Sequence, residues 1–222
     1  MPTFTLHQIE TSVYAALDGN TQFFAEPQVR AAINEGLSRL NLLIGFQQDI
    51  VPVPGWTRAG QLLYYVPDPV IIPMVVYIEN RELEKVSLRE LGQRFRNWAV
   101  QNTSQFGPTA RWAPIGIRQF AIHPMDYAGG QMLEVQGITS TVALTAQNQT
   151  VTLDDEWCDL LVDYAKTRVL LKDSSKTFAD ASLFYQEFTR KVKTMTVWAG
   201  LKFPAYFVKE VLNPVSKVER VA

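Results

Sequence analysis

The chain has 222 residues, of which 47% are hydrophobic and 19% charged, so it can bury one large core or two smaller ones. Its formal net charge of −1 does not favour a polyanionic partner for the chain as a whole. The single cysteine, Cys158, excludes an intramolecular disulfide and a multi-thiolate metal site. No segment reaches the roughly 18 apolar residues of a membrane span. The N-terminal residues lack a basic and an apolar region, so we expect no signal peptide and synthesis in a reducing cytosol.

Two helices are predicted in the first 50 residues. Residues 4–18 favour a short helix that ends at Gly19, because glycine adopts the left-handed cap conformation cheaply. Residues 27–48 favour a longer helix with Pro27 at its first position. Gly36 lies in the apolar stripe of that helix, so we expect close approach by another helix. The stripe recurs at three- and four-residue steps through Val29, Ile33, Leu37, Leu40 and Ile44.

The segment 51–153 has a different character, with eight of the 12 prolines and short runs of β-branched and aromatic residues. Asn80 predicts a hairpin turn with a positive φ, and Ser87 with Glu90 predicts a capping box that starts a helix over 88–98. Polar loops are predicted at 101–114 and 127–130. The runs that predict strands read LLYYV, MVVYI, IRQFAI, MLEVQGI, TVALT and TVTL.

From residue 154 the helical period returns. The acidic first turn and Lys172 in the last turn both suit the helix dipole, and Cys158 is expected to be a buried structural thiol. One face of this helix comprises Trp157, Leu160, Leu161, Tyr164, Arg168 and Leu171. A second helix over 176–198 completes an αα-hairpin. Its seam comprises Phe178, Ala181, Tyr185, Phe188, Val192 and Met195.

These elements predict an α+β fold in which N- and C-terminal helices form a bundle. The bundle comprises residues 1–50 and 154–198, and residues 51–153 form an inserted, mostly antiparallel β domain. Residues 199–222 form a C-terminal arm that is too apolar for a disordered tail. We expect the arm to bind a partner, and a tail that folds back on its own core is the other interpretation. The candidate partner-interface residues are Phe203, Tyr206, Phe207, Val208, Val211 and Leu212.

The chain shows no pattern typical of a reaction centre. Its two histidines, His7 and His123, lie in no metal-ligand spacing, and nucleophile-elbow and phosphate-binding motifs are absent from the sequence. The carboxylates around 154–163 match an ordinary helix start. We therefore expect no catalytic residue, no cofactor, no metal and no enzymatic activity. A site assembled from distant residues remains the other possibility, and a polar pocket around either histidine would favour it.

Charge is distributed unevenly along the chain. Residues 1–165 carry 10 Lys and Arg against 17 Asp and Glu, whereas residues 166–222 carry 11 against 5. Such asymmetry can complement a partner or a neighbouring subunit, although two solvated faces of opposite charge would give the same count. A basic stripe at 190–193 comes without a nucleic-acid-binding motif, so no sequence-specific DNA contact is expected.

The order of elements carries a family resemblance. A helix reading AINEGLSRLN precedes a YVP segment, a strand–turn–strand and a Ser-capped helix. This order resembles the head-to-tail adaptor (connector) proteins of tailed bacteriophages, over most of residues 20–190. Family members often have a polar residue before the second helix, where this chain has Ala25, and the arm beyond 199 is not covered. The matching pieces are residues 32–41, 65–67, 75–83, 87–91, Trp98, 122–124 and 160–165.

The resemblance implies a structural virion protein in the neck between capsid and tail, made in the host cytoplasm. It implies a ring, typically of twelve copies, that docks under the portal protein and extends the DNA channel. Genomic DNA would pass without sequence-specific contacts, the β domain would be available to the next tail protein, and no membrane is involved. The arm would reach into the portal or a neighbouring subunit. The alternative is another tail or baseplate protein that does not bind the portal, with three- or sixfold rather than twelvefold symmetry.

Overall fold

A computed structural model describes residues 4–17, 24–151, 153, 155–170 and 186–195. The chain divides into two compact units. Unit 1 comprises Met1–Phe46 and Thr141–Ala222, and unit 2 comprises Gln47–Ser140. Helices dominate the described part of unit 1 and strands dominate unit 2, so the predicted α+β class with an inserted β domain is confirmed.

The helices are α1 (Leu6–Ala16), α2 (Glu26–Ile44), α3 (Leu88–Arg94), α4 (Thr103–Phe106), α5 (Cys158–Leu170) and α6 (residues 186–195). The strands are β1 (Gln48–Pro52), β2 (Leu63–Tyr65), β3 (Val70–Ile78), β4 (Arg81–Glu82), β5 (Glu84–Lys85), β6 (Arg111–Pro114), β7 (Gln119–His123) and β8 (Leu133–Thr139). Single 3₁₀ turns cover Trp98–Val100 and Asp155–Trp157.

Local chemistry sets the ends of the first two helices. A capping box starts α1, because Thr5 Oγ1 accepts from Gln8 N and Gln8 Oε1 accepts from Thr5 N. Ala25 precedes α2 without a side-chain cap, and Pro27 lies in the first turn. The prediction that this helix reaches residue 48 is wrong. Gly45 ends it with a φ of 66°, a left-handed conformation that glycine adopts without strain.

The core of unit 1 lies among α1, α2, α5, α6 and the segment that precedes α5. Gly36 faces Tyr164, since a Cβ at this position would lie 2.8 Å from Tyr164 Cδ1, and the predicted close approach is confirmed. Tyr164 also contacts Phe188 of α6 at 5.2 Å between ring centroids. The predicted burial of Cys158 is confirmed, and of the predicted α6 seam Phe188, Val192 and Met195 are buried. The other three seam positions and Gly19 lie outside the described residues.

The strands predicted in TVALT and TVTL are wrong for the described residues, which show only a single bridge between Thr150 and Thr5. Side chains of α2 satisfy this backbone instead. Asn34 Oδ1 accepts from Leu144 N at 2.8 Å, and Asn34 Nδ2 donates to Leu144 O at 3.0 Å. Farther along, Leu6 N donates to Gln149 O at 2.9 Å. The segment therefore packs along α1 and α2 as extended chain.

Unit 2 is a sandwich of two four-stranded sheets. The strand orders are β1-β8-β3-β4 and β2-β7-β6-β5, and every pair is antiparallel except β5 with β6. The inner faces of both sheets share one apolar cluster, because alternate residues of a strand point to the same side. Its members include Tyr64, Val66, Val76, Ile78, Trp112, Phe120, Ile122, Leu133 and Val135.

The helix α3 packs on the outer face of the second sheet at β6. The predicted capping box is confirmed, because Ser87 Oγ accepts from Glu90 N at 3.1 Å and Ser87 N donates to Glu90 Oε2 at 2.8 Å. The helix ends at Arg94 rather than 98, and Asn97 adopts a φ of 60°. Leu91 then packs with Val86 and Ala113. The predicted positive φ at Asn80 is confirmed in the two-residue β3–β4 turn.

Candidate functional site

The two histidines lie in different units and in opposite surroundings. His7 is exposed on α1, whereas His123 is buried beneath Phe95, with 4.6 Å between the ring centroids. His123 Nε2 lies 2.9 Å from Gln101 Oε1, and Nδ1 has no hydrogen-bond partner among the described residues. Burial and the nearby Arg111 guanidinium lower the pKa of His123, so the ring is neutral at physiological pH. The packing of His123 is that of a core side chain.

The carboxylates at the start of α5 act separately. Asp155 Oδ1 accepts from Phe4 N at 3.2 Å, Asp159 is exposed, and Asp163 pairs with Lys191 of α6. Across the described residues, no three or more His, Cys, Asp or Glu side chains form a group that could hold a metal ion. None of the described helices is both long and apolar enough to cross a membrane.

Charged groups in unit 1 join neighbouring helices. Glu35 of α2 accepts from Tyr164 Oη at 2.8 Å and from Arg168 Nε at 2.9 Å, both on α5. Burial and the hydrogen bond to Glu35 raise the pKa of Tyr164 to about 12. Burial opposes ionisation of Glu35, but the bonds from Arg168 and Tyr164 outweigh it and lower the pKa of that carboxyl. This network fixes how α2 and α5 pack.

A second network joins α1 to α2. Arg30 Nε donates to Glu10 Oε1 at 2.8 Å, and Arg30 also pairs with Glu26. Its Nη1 donates to Thr145 O at 3.1 Å, which ties the segment before α5 to the same cluster. Glu10 is buried and its charge is matched, as a buried carboxylate requires. These paired charges of unit 1 thus serve its own packing.

One end of the unit 2 sandwich carries exposed apolar side chains on three connecting segments. Residues 53–61 connect β1 to β2, residues 124–132 connect β7 to β8, and residues 95–109 lead from α3 to β6. We call these three segments the loop end. Four large apolar side chains on it face solvent, with exposed fractions of 64% for Trp56, 67% for Val100, 52% for Phe106 and 61% for Tyr127. Exposed apolar groups collected on one surface are typical of a contact with another molecule.

Hydrogen bonds between the segments hold the loop end together. Thr57 Oγ1 donates to Asp126 Oδ2 at 2.5 Å, and both residues are buried. Gly130 N donates to Thr57 O at 2.8 Å, and Tyr127 N donates to Thr103 Oγ1 at 3.0 Å. A Cβ at Gly129 would lie 2.8 Å from Ala59 N, and its φ is 76°, so glycine is required at this crossing. The exposed side chains therefore project from a rigid base.

The exposed charged side chains of the three segments are both arginines, and the adjoining β3–β4 turn adds Glu79, whose Oε1 accepts from Met132 N at 2.7 Å. Arg58 and Arg96 are exposed, and neither forms an ion pair with a residue that the structure describes. The only carboxylate in the three segments is Asp126, which is buried and accepts from Thr57 and from Ala128 N. Aromatic residues and arginine are the types enriched in the binding hot spots of protein interfaces.

The strand edges of unit 2 are less available than its loops. Gln61 Nε2 donates to the Leu63 carbonyl on the outer edge of β2 at 2.7 Å. On β1, Asp49 Oδ1 accepts from Ile50 N at 2.8 Å, and Pro52 follows in the same strand. Side chains that occupy edge groups, and prolines, oppose the addition of another strand.

A second apolar strip lies along β2 and the turn between β6 and β7. Leu63 and Tyr65 point to the same side of β2, and Ile117 projects from the turn between β6 and β7. Arg118 beside them pairs with Asp68, so the charge of this strip is balanced.

The candidate interface residues of the arm, Phe203, Tyr206, Phe207, Val208, Val211 and Leu212, lie outside the described residues. The loop end was not found from the sequence, which predicted 101–114 and 127–130 as separate polar loops. The sequence signal that could have indicated it is Trp56, a large aromatic residue in a loop-like segment that follows Pro52 and Pro54.

Comparison with known families decides the class of protein. The chain matches the SU10 adaptor protein family over residues 5–202. The chain belongs to this family. Because the match spans both units, neither unit is an addition foreign to the family. No curated protein matches the chain.

Membership makes this SU10-family adaptor a structural protein of bacteriophages, as the resemblance predicted. Adaptors assemble with other phage structural proteins, so the protein is a virion component. The match ends at residue 202, immediately before Phe203, so the candidate arm residues also lie beyond the matched region.

Proposed function

We propose that this adaptor forms a ring under the portal protein in the neck of the virion. The ring extends the channel for genomic DNA, makes no sequence-specific contact with it, and provides the platform for the next tail protein. Twelve copies, made in the host cytoplasm, match the symmetry typical of such adaptors. The family match over residues 5–202 carries this proposal, since it covers the bundle and the β unit together.

The internal pairing of charges in unit 1 supports a building block rather than a reaction centre. Glu35 binds Arg168, and Glu10 binds Arg30, so these ionisable groups join α2 to α5 and to α1. His123 is packed under Phe95 and His7 is exposed in the other unit. Specificity in such a protein resides in surfaces that contact other chains.

Imaging of the intact virion tests the proposed position. We expect a twelvefold ring of this chain between the portal protein and the first tail protein. Threefold or sixfold symmetry, in density away from the portal, would instead support a tail or baseplate protein that does not bind the portal.

Light scattering adds a test in solution, because we expect the isolated chain to be a monomer that assembles only with the portal protein. A stable dimer under both conditions contradicts that expectation.

We also propose that residues 199–222 are an arm that binds the portal or a neighbouring subunit. Six apolar side chains within ten positions of the sequence, from Phe203 to Leu212, support it. Deletion of 200–222 is expected to abolish docking and leave the fold intact, as measured by co-sedimentation with portal rings and by circular dichroism. Deletion of 214–222 is the matched control, because it removes none of the six candidate residues. Loss of folding in the longer deletion would place the arm in the protein's own core.

A further inference from the structure

We propose that the loop end of unit 2 is the docking surface for the next tail protein. The contacting face of that protein would carry carboxylates around apolar side chains. The inference rests on the proposed function and names the surface that performs part of it. Its members are Trp56, Arg58, Arg96, Val100, Phe106 and Tyr127.

The composition of the loop end supports a protein contact. Trp56 and Tyr127 supply large rings at more than half exposure, and Val100 and Phe106 extend the apolar area. Rings with few rotatable bonds bury much surface at a low entropic cost. The interfaces of protein complexes combine such apolar centres with arginine at their margins.

The rigidity of the loop end supports binding without large rearrangement. Thr57 and Asp126 are joined by a buried hydrogen bond across 69 positions of the sequence. Thr103 N donates to Met125 O at 3.0 Å, and Met125 N donates to Gln101 O at 3.1 Å, so the third segment is held as well. A surface that is already ordered loses little conformational entropy on association.

The charge of the loop end selects the partner. Arg58 and Arg96 are exposed, and the single aspartate of these segments is buried against Thr57. The carboxylate of Glu79, on the adjoining β3–β4 turn, already accepts a hydrogen bond from Met132 N at 2.7 Å. A partner with carboxylates would neutralise both guanidinium groups, whereas a basic partner would be repelled. Carboxylates also accept two parallel hydrogen bonds from one guanidinium group.

Protein is favoured over DNA as the occupant. Binding to duplex DNA depends on many phosphate contacts from Lys and Arg. The loop end offers two arginines beside four large apolar side chains, and unit 2 has 8 Lys and Arg against 8 Asp and Glu. A neutral unit with an apolar patch suits a protein surface better than a phosphate backbone.

The experiment uses a phage that lacks this gene and is complemented by variants of the full chain. The test variant is Trp56→Ala with Tyr127→Ala. The matched control is Tyr65→Ala with Ile117→Ala, which removes two side chains from the strip on the second sheet that are at least as exposed, at 68% and 86%. Purified particles are scored by electron microscopy for tails and by mass spectrometry for the adaptor.

We expect the test variant to enter particles at the wild-type level and to reduce tailed particles by about tenfold or more. The control is expected to give wild-type numbers of tails. Normal tail numbers with the test variant would overturn the inference, and so would equal losses in both variants. Failure of the test variant to enter particles would assign the loop end to the portal or to ring closure, which also overturns it.

A second pair of variants, which changes the charge of the loop end, tests the chemistry of the partner. Arg58→Glu with Arg96→Glu is expected to lose tails, whereas Arg58→Lys with Arg96→Lys is expected to retain most of them. Arginine-dependent retardation of a short DNA duplex, with tails unaffected, would identify a nucleic-acid surface and overturn the inference. The absence of the wild-type chain from the neck would instead disprove the proposed function, so the two failures are distinguishable.

Discussion

In unit 1, Arg30 and Arg168 pair with carboxylates of neighbouring helices, whereas Arg58 and Arg96 on the loop end of unit 2 face solvent without an ion pair among the described residues. Arginine therefore serves two purposes in this protein. In unit 1 its charge fixes which helices pack together, and in unit 2 it is left available to another molecule. The difference separates the part that maintains the fold from the surface that we propose binds a partner.

The strongest test of this comparison replaces one phenylalanine in the core of unit 2 and one on its loop end. Phe120 is fully buried and contacts the rings of Tyr64 and Trp112, so Phe120→Ala is expected to lower the free energy of unfolding by about 3–5 kcal/mol. Phe106→Ala is the control and should change it by less than about 0.5 kcal/mol, because Phe106 is 52% exposed. Guanidinium unfolding measures both, and equal losses would show that Phe106 belongs to a core.

A second test compares two helical glycines. An alanine normally stabilises a helix by about 1 kcal/mol relative to glycine, and Gly92→Ala is expected to do so because no atom lies within 4 Å of the new Cβ. Gly36→Ala should instead destabilise by about 1–3 kcal/mol, since the Cβ would lie 2.8 Å from the Tyr164 ring. Thermal unfolding measures both variants. Stabilisation by Gly36→Ala would show that α2 and α5 pack less closely than described.

The Glu35 network gives a third, smaller effect. Tyr164→Phe removes a hydrogen bond to a carboxylate and is expected to cost about 1–2 kcal/mol, whereas the exposed Tyr65→Phe should cost almost nothing. The pKa of Tyr164 rises from 10.0 to about 12, so the fold favours the neutral hydroxyl. Its contribution is therefore complete below pH 10 and is lost as the pH rises towards 12. Spectrophotometric titration should show one fewer late-titrating tyrosine in Tyr164→Phe.

The smallest expected effect is the contribution of His123 to the pH dependence of the free energy of unfolding. Burial and Arg111 lower the pKa of His123 below 6.5, so the unfolded chain binds a proton that the folded chain does not. Stability should therefore fall as the pH drops below 6.5, and His123→Gln should reduce that slope. Urea unfolding at several pH values measures it, and an unchanged slope in His123→Gln would contradict the described environment.

The sequence was sufficient where chemistry is local. The capping box of Ser87 and Glu90, the positive φ at Asn80 and the apolar stripe of α2 depend on residues within a few positions of one another. It was insufficient where pairing is distant. β1 pairs with β8 more than eighty residues later, and backbone groups of residues 144–149 form hydrogen bonds with α1 and α2, so a local pattern showed neither.

The loop end shows the same contrast between features set by neighbouring residues and features set by residues far apart in the chain. Two of its three segments were predicted as loops, at 101–114 and 127–130, from their Gly, Pro and polar residues, which restrict or free the backbone locally. The packing of these segments against one another depends on the Thr57–Asp126 hydrogen bond and on the close backbone approach at Gly129. The local order of residues alone therefore determined an α+β chain with caps, turns and apolar stripes. Only the tertiary structure decided which rings and guanidinium groups remain in solvent, because exposure depends on contacts between residues far apart in the chain.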